Sequence, residues 1–247
     1  MDNAFIATSF DWDHRTPRGW QRTANRVLRR LRINGQLTPL PPIMATVEAR
    51  MNLFHLLEQT IAMQVPGDVL DLGCNAGEST FVMQKMVSAL SPDKTVHAYD
   101  SFEGLPRLTP ADLTDGVFGE GYMRAGLETF RRRFTEAKLL QPVVHKGWFQ
   151  ETVPSQLPDR ISFALIDGDL YESTRHLLPY VYERMSSGAI GMIAVYYDES
   201  IFPREGLPGE FRSPGVKRAT DEFFADKPEK VSLLYAGEYS NGYFRKI

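Results

Sequence analysis

Three carboxylates, Asp71, Asp100 and Asp167, each close a short apolar run, and a glycine turn follows the first of them. The stretch Asp71-Leu-Gly73-Cys-Asn75-Ala-Gly77 comes after Gly67-Asp-Val-Leu70 and leads into Glu78-Ser79-Thr80-Phe-Val, which reads as strand, turn and helix start. Glycines at such a turn let a ligand lie on bare backbone beside a helix N-terminus. Asp100 ends the next strand-like run, Thr95-Val-His-Ala-Tyr-Asp100, where an acid can take both hydroxyls of a ribose. Turn, helix, strand, acid is the order of a nucleoside-binding α/β half. The dinucleotide pattern G-x-G-x-x-G has glycine where this chain has Asn75, and a side chain there hinders a pyrophosphate. An adenosine ligand without phosphates fits better, and S-adenosylmethionine is the expected one. Asp71, Gly73, Asn75, Gly77, Ser79 and Thr80 are its candidate contacts on the turn, with Asp100 and Ser101 at the next strand end. Gly147, Trp148 and Phe149 follow the third strand; the aromatic pair either brackets an adenine or packs in the core.

Asp167-Gly-Asp169-Leu-Tyr171-Glu-Ser-Thr174 follows the fourth strand. In an open parallel sheet ligands bind beyond the carboxyl ends of the strands, so Asp167 is expected in the same crevice as Asp71 and Asp100. Its bland use would be to cap the helix that follows, a task for which Asp169 is better placed. His176, one turn into that helix, has a catalytic and a structural reading. Arg131-Arg-Arg133 reads as a solvated helix face.

These side chains need a scaffold, and the pattern supplies one. Strands are expected at 68–72, 95–99, 142–146, 161–166 and 190–195, with helices at 46–63, 79–90, 127–137 and 173–185. The helix at 46–63 should bury Val47, Met51, Phe54, Leu57 and Ile61. Alternation of strand and helix predicts a mostly parallel sheet covered on both faces, a Rossmann-like α/β fold. The segments 230–235 and 243–247, joined through Gly237 and Ser240-Asn-Gly242, predict a terminal antiparallel hairpin. That sheet is the class I methyltransferase sheet rather than the dehydrogenase one. Residues 1–45 form a separate appendage, with a helix over 17–32 carrying Trp20, Ala24, Val27, Leu28 and Leu31 on one face and arginines on the other. Residues 46–247 form the cofactor domain, and the Pro/Gly-rich 200–214 is a candidate lid.

Of 247 residues, 24% are charged and the net charge is −3, so nothing global calls for nucleic acid or an anionic membrane. The single cysteine, Cys74, excludes an internal disulfide and fits a reducing, cytoplasmic setting. No apolar run reaches the ~18 residues of a membrane span.

Together, Val69-Leu-Asp-Leu-Gly…Gly77, Asp100-Ser-Phe-Glu-Gly-Leu-Pro106, Gly147-Trp-Phe149…Pro154 and Asp167-Gly-Asp-Leu-Tyr-Glu-Ser-Thr174 resemble the macrocin O-methyltransferase family over residues 44–247. The resemblance implies methylation of sugar hydroxyls on antibiotics, a small-molecule acceptor and S-adenosylmethionine at Gly73 and Asp100. It also implies magnesium on the Asp167 equivalent and on two aspartates ending the fifth strand. Ala194 and Val195 stand at that pair's positions here, ahead of Tyr196, which leaves Asp167 and a displaced Asp198 as the candidate ligands and points toward a lost ion. An alcohol needs a base or a Lewis acid to attack a sulfonium methyl. Without metal, Asp167 is the candidate base, with His176 the second catalytic candidate and His145, Tyr171, Tyr196 and Tyr197 as possible relays. Homodimers are common among such enzymes, so a homodimer is expected. Three alternatives stand: an S-adenosylmethionine-binding enzyme that shapes a cyclisation or rearrangement without methylating, a nicotinamide-dependent oxidoreductase, and, more remotely, an RNA methyltransferase using the Arg-rich helix.

Overall fold

Apolar runs punctuated by Pro-Gly and Pro-Asp become the inner strands of a seven-stranded sheet. The structure, a computed structural model, describes residues 19–31, 47–112, 119–197, 214–234 and 240–247. Its strands are β1 (Asp68–Leu72), β2 (Val96–Asp100), β3 (Val143–Lys146), β4 (Ile161–Ile166), β5 (Met185–Ile193), β6 (Ser232–Leu234) and β7 (Asn241–Arg245). The helices are α1 (Gly19–Arg30), α2 (Val47–Ala62), α3 (Glu78–Leu90), α4 (Leu127–Glu136), α5 (Phe149–Gln156), α6 (Tyr171–Arg184) and α7 (Pro214–Phe224), with a 3-10 turn at Pro110–Asp112. The chain divides into two units, Met1–Met44 and Ala45–Ile247.

Strand order is β3-β2-β1-β4-β5-β7-β6, parallel from β3 through β5 and antiparallel at β7 and β6. The register sets Leu72 beside Tyr99 of β2 and Ile166 of β4, so β1, β2 and β4 end side by side. Asp71, Asp100 and Asp167 therefore reach one rim. Every residue of β4 is buried, as its unbroken Ile-Ser-Phe-Ala-Leu-Ile run requires of a strand covered on both faces. One face packs Leu70, Leu72, Ile166 and Ile193 on Leu177, Leu178 and Val181 of α6. The other carries Ala98 and Phe102 against Phe130 and Phe134 of α4. Burying each of those phenylalanines contributes about 1.5–3 kcal/mol.

The sheet expected from the sequence is present, with local differences. Helix α2 buries Leu53, Phe54, Leu56, Leu57 and Thr60 and leaves Met51 exposed, so its core face is rotated from the expected one. Strand β5 starts at Met185, five residues early, and a register shift between Ile161 and Phe163 accommodates Ser186-Ser-Gly188. Asn241 and Gly242, read as turn residues, lie inside β7, where Asn241 is buried and accepts a bond from Asn52 Nδ2 at 3.4 Å. In the first unit, α1 exposes Trp20 and Val27, half-buries Ala24 and Leu28 and buries Gln21 and Asn25, so its covered face is not the expected apolar one. The expected lid and Asp198 lie outside the described residues.

Candidate functional site

The glycine turn is held by close approach of two backbones. Gly73 has φ +104, and a Cβ there would lie 2.0 Å from the carbonyl oxygen of Asp167. Gly73 N–H donates to Tyr99 O at 2.9 Å and Asp167 N–H donates to Leu72 O at 2.8 Å. The turn after β1 and the acidic loop after β4 are thus pressed together, which only a residue without a side chain permits. Gly77 is left-handed too, at φ +81, and the Phe130 ring fills the space where its Cβ would be. Helix α4 braces the turn further, since Arg133 Nε donates to Ala76 O at 2.9 Å. Glu78 pairs with Arg50 at 3.1 Å and lies 3.9 Å from Arg133. The arginine run is therefore only partly a solvated face: Arg131 and Arg132 are exposed, and Arg133 serves the turn.

Asp71 is fully buried behind that turn. Its Oδ2 accepts from Ser79 Oγ at 2.6 Å and Thr80 Oγ1 at 2.5 Å, so these two candidate cofactor contacts are committed to Asp71. Its Oδ1 is buried without a hydrogen-bond partner. Burial pushes this carboxyl up to about 6, with the Ser79 and Thr80 hydroxyls pulling the other way. A buried acceptor left open costs about 1–3 kcal/mol. Cys74 is buried, and burial also pushes its thiol well above the ordinary range, which makes it an inert filler.

Asp100 takes two backbone amides, Asn75 N–H at 2.8 Å on Oδ2 and Phe102 N–H at 2.6 Å on Oδ1. These bonds aim the carboxylate at the turn and leave lone pairs on both oxygens. Burial raises its pKa while the two amides oppose the rise. Asn75 is itself left-handed, at φ +46. Its side chain accepts from Ala76 N–H at 2.6 Å and donates to Met123 O at 2.5 Å, tying the segment 119–126 over the turn. Ser101 Oγ accepts from Glu103 N–H and contacts Gly104 O, so it shapes its loop. Gly147 N–H donates to Asp100 O at 3.0 Å. Phe149 packs on the core, and Trp148, half-buried, is the residue before α5.

Asp167 and Asp169 are half-buried and neither carboxylate has a hydrogen-bond partner among the described residues. Burial, then their proximity to each other and to Asp71 and Asp100, raises Asp167 well above the usual carboxylate range. Asp169 is raised to about 7, by burial first and then by Asp100. Such a pair titrates as a unit that keeps one proton near neutrality and offers one ionised oxygen. The expected capping role of Asp169 is not realised. Helix α6 begins at Tyr171 after Leu170, and its first amide donates to Asp112 from the 3-10 turn. Asp112 was not apparent from the sequence, although Thr109-Pro-Ala-Asp112 has the S/T-x-x-D form of a helix start.

The remaining candidates lie elsewhere. The His176 ring lies tilted against Tyr180, centroids 5.2 Å apart, and its Nε2 is buried without a hydrogen-bond partner among the described residues. His145 is a strand residue whose ring lies on Tyr99 and whose nitrogens meet His97 at 3.0 Å and Gln156 at 2.9 Å. Tyr171 donates to Glu222 and Tyr196 to Asp221, each at 2.5 Å, which removes both as relays. At the end of β5, Ala194 N–H donates to Ile166 O and Val195 turns left-handed at φ +54, a strained conformation for a β-branched residue. Neither side chain can ligate a cation. Among the described residues no group of three or more His, Cys, Asp or Glu side chains is arranged to hold a metal ion. Of the magnesium ligands that the resemblance implies, the fifth-strand pair is thus absent at Ala194 and Val195, and only Asp167 is present among the described residues.

A family model described as Macrocin-O-methyltransferase (TylF) matches residues 5–201. The chain belongs to that family. Among curated relatives, Mycinamicin III 3''-O-methyltransferase of Micromonospora griseorubida is 32% identical over 155 residues, 59% of this chain and 61% of that protein. Demethyldecarbamoylnovobiocin O-methyltransferase of Streptomyces niveus is 31% identical over 157 residues, 59% of this chain and 58% of that protein. The chain thus spans about three fifths of the length of the curated relatives it matches. The solved O-methyltransferase NovP superposes with TM-score 0.68 at 22% identity, covering 98% of this chain and 96% of its own. CalS11, a calicheamicin methyltransferase, superposes with TM-score 0.60 at 19% identity, covering 92% and 93%. At those identities the superpositions speak for the class I methyltransferase fold of this macrocin O-methyltransferase family member, and for nothing finer.

Proposed function

We infer that this chain is an S-adenosylmethionine-dependent O-methyltransferase acting on a hydroxyl of a small natural product, with a glycosylated acceptor the leading class. The carrying observation is the contact of Gly73 with the Asp167 backbone, which sets the nucleoside turn directly against an unpartnered carboxylate pair. The printed names of the relatives support the acceptor class, since they name O-methylation of mycinamicin III, of demethyldecarbamoylnovobiocin and of a rhamnosyl-bearing tetracenomycin C. Membership in a methyltransferase family argues against the nicotinamide-dependent and the non-methylating alternatives.

The cofactor would be held by Asp100 through its ribose hydroxyls and by the turn at Gly73 to Gly77. The open Asp71 oxygen is suited to the ammonium of the methionyl part. When bound, S-adenosylmethionine supplies an electrophilic methyl group. The chain's own contribution is to orient the acceptor hydroxyl and take its proton. The one ionised carboxylate of the Asp167 and Asp169 pair accepts that proton as the new O–CH3 bond forms and the S–CH3 bond breaks, while the other member keeps the proton the pair already holds. A base held near neutrality, as burial holds the Asp169 member of the pair at about 7, is matched to this task and typically contributes 10²–10⁴-fold. No step passes through a metal, because Ala194 and Val195 offer no donor atoms.

The test is incubation with S-adenosylmethionine and a panel of deoxysugar-bearing and phenolic acceptors, read by mass spectrometry for S-adenosylhomocysteine and methylated product. Turnover unchanged by EDTA is the expected result; more than about tenfold stimulation by added magnesium would contradict the metal-free reading. Methyl transfer to no acceptor while the cofactor is cleaved or rearranged would replace O-methylation by the non-methylating alternative.

The Asp71 carboxyl gives a pH dependence. Its folded pKa of about 6 lies above the ordinary 3.8, so the folded chain binds the extra proton between these values. Its contribution to stability is therefore favourable at low pH and is lost as pH rises through that window. Cofactor affinity runs the opposite way, since a cation needs the ionised form. The Kd should rise by up to about tenfold per pH unit below pH ~6. Calorimetric titration with S-adenosylhomocysteine between pH ~5 and ~7 checks this, and a flat Kd would remove Asp71 from cofactor binding.

A further inference from the structure

We propose that Asp112 is a positioning residue for the carboxylate pair Asp167 and Asp169, acting by capping α6 from a distant loop. The proposal rests on the functional reading above and adds a residue to it. Asp112 is buried at the end of the 3-10 turn, 59 residues away in sequence from the amide it caps. Its Oδ2 accepts from Thr109 Oγ1 at 2.6 Å and Thr109 N–H at 3.2 Å, and its Oδ1 accepts from Tyr171 N–H. Its negative charge also faces the positive end of a 14-residue helix.

Helices usually draw this cap from their own flanking Ser, Thr, Asp or Asn. Here the flanking residue is Leu170, extended at φ −120 and ψ 156, with no side chain that can cap. Asp169, one residue earlier, is the carboxylate that local sequence would have spent on the helix amides. With Asp112 in that role, Asp169 stands at φ +56 and Leu170 N–H donates to Gly168 O at 2.6 Å, closing a tight turn. That turn separates Asp167 from Asp169 by two residues, and neither is consumed by capping. Asp112 thus fixes where α6 begins and so where both carboxylates point. The same segment runs back through Thr109 to the loop after Asp100, so one residue ties the acidic loop to the cofactor strand.

The test compares Asp112→Ala, Asp112→Glu and Asp112→Asn with the wild-type chain in methyl transfer and in cofactor titration. Asp112→Ala leaves Tyr171 N–H and Thr109 N–H without their acceptor and should lower kcat by about tenfold to a hundredfold, as small misplacements of a reacting group do. Its KM for S-adenosylmethionine should stay within about threefold, because the Asp100 and Gly73 contacts are untouched. Asp112→Asn keeps an acceptor for Tyr171 and should restore most of kcat. Asp112→Glu keeps the charge and the fold but displaces the oxygens by a methylene, and should lose kcat without a matching rise in KM; it carries the test if the alanine variant does not fold. Wild-type kcat in Asp112→Glu and Asp112→Ala, or losses of kcat and cofactor affinity in equal proportion, would overturn the positioning role. A wild-type chain that binds cofactor yet methylates nothing would instead overturn the functional reading on which it rests.

Discussion

Asp167→Asn lowers kcat by about a thousandfold while the cofactor Kd stays within about threefold, the size expected when a general base is removed without loss of shape. The asparagine keeps the Asp167 N–H to Leu72 O bond, and so keeps the loop on the rim of the sheet. It cannot accept a proton from an acceptor hydroxyl. Asp71 and Asp100 keep their own partners in the variant, so cofactor binding does not suffer. Single-turnover formation of S-adenosylhomocysteine, beside a calorimetric titration of the same preparation, separates the two quantities. A variant with more than about a tenth of wild-type kcat would transfer the role of base to another residue. Asp169 would be the first alternative, as the other member of the carboxylate pair.

Gly73→Ala is the second large effect, and it falls on stability. The new methyl group would stand 2.0 Å from Asp167 O, and φ is +104, a conformation an L side chain rarely adopts. Both clashing partners are backbone held by ladder bonds, Gly73 to Tyr99 and Asp167 to Leu72, so neither yields without breaking the β1–β4 rim. Overpacking with backbone strain of this kind costs about 3–5 kcal/mol. For a domain of this size that is a fall in Tm of roughly 6–20 °C, read by circular dichroism melting. The variant should also lose detectable cofactor binding, because the turn and the acid loop can no longer touch. A Tm within about 2 °C of wild type would mean that the contact between the two loops is looser than described.

Much of this architecture can be read from the residues. β1 and β4 are bounded in the sequence at the positions where the structure bounds them, because unbroken apolar runs next to Pro66-Gly67 and Pro158-Asp159 leave one choice. The carboxylates on the rim follow from strand ends and parallel order. What escaped the sequence is tertiary. The start of α6 is set by Asp112, which local pattern reading assigns to another helix start. The early start of β5 depends on a pairing of Met185 with Ile161 that the turn-like Ser186-Ser-Gly188 conceals. Asn241-Gly242 has the composition of a hairpin turn but lies in β7, where Asn52 of α2 supplies the partner for the Asn241 amide. Ser79 and Thr80 look like ligand contacts from their place in the turn; in the structure they satisfy a buried carboxylate instead. Arg133 belongs to a solvated run by composition and to the glycine turn by contact.

The central claim is that the cleft beyond β1, β2 and β4 takes the sulfonium nucleoside. Calorimetric titration of the folded wild-type chain with S-adenosylhomocysteine at neutral pH tests it most directly. The account predicts saturable heat with one site per chain, abolished in an Asp100→Ala chain that circular dichroism shows to be folded. No heat from a chain shown to be folded, or undiminished heat in Asp100→Ala, would contradict it.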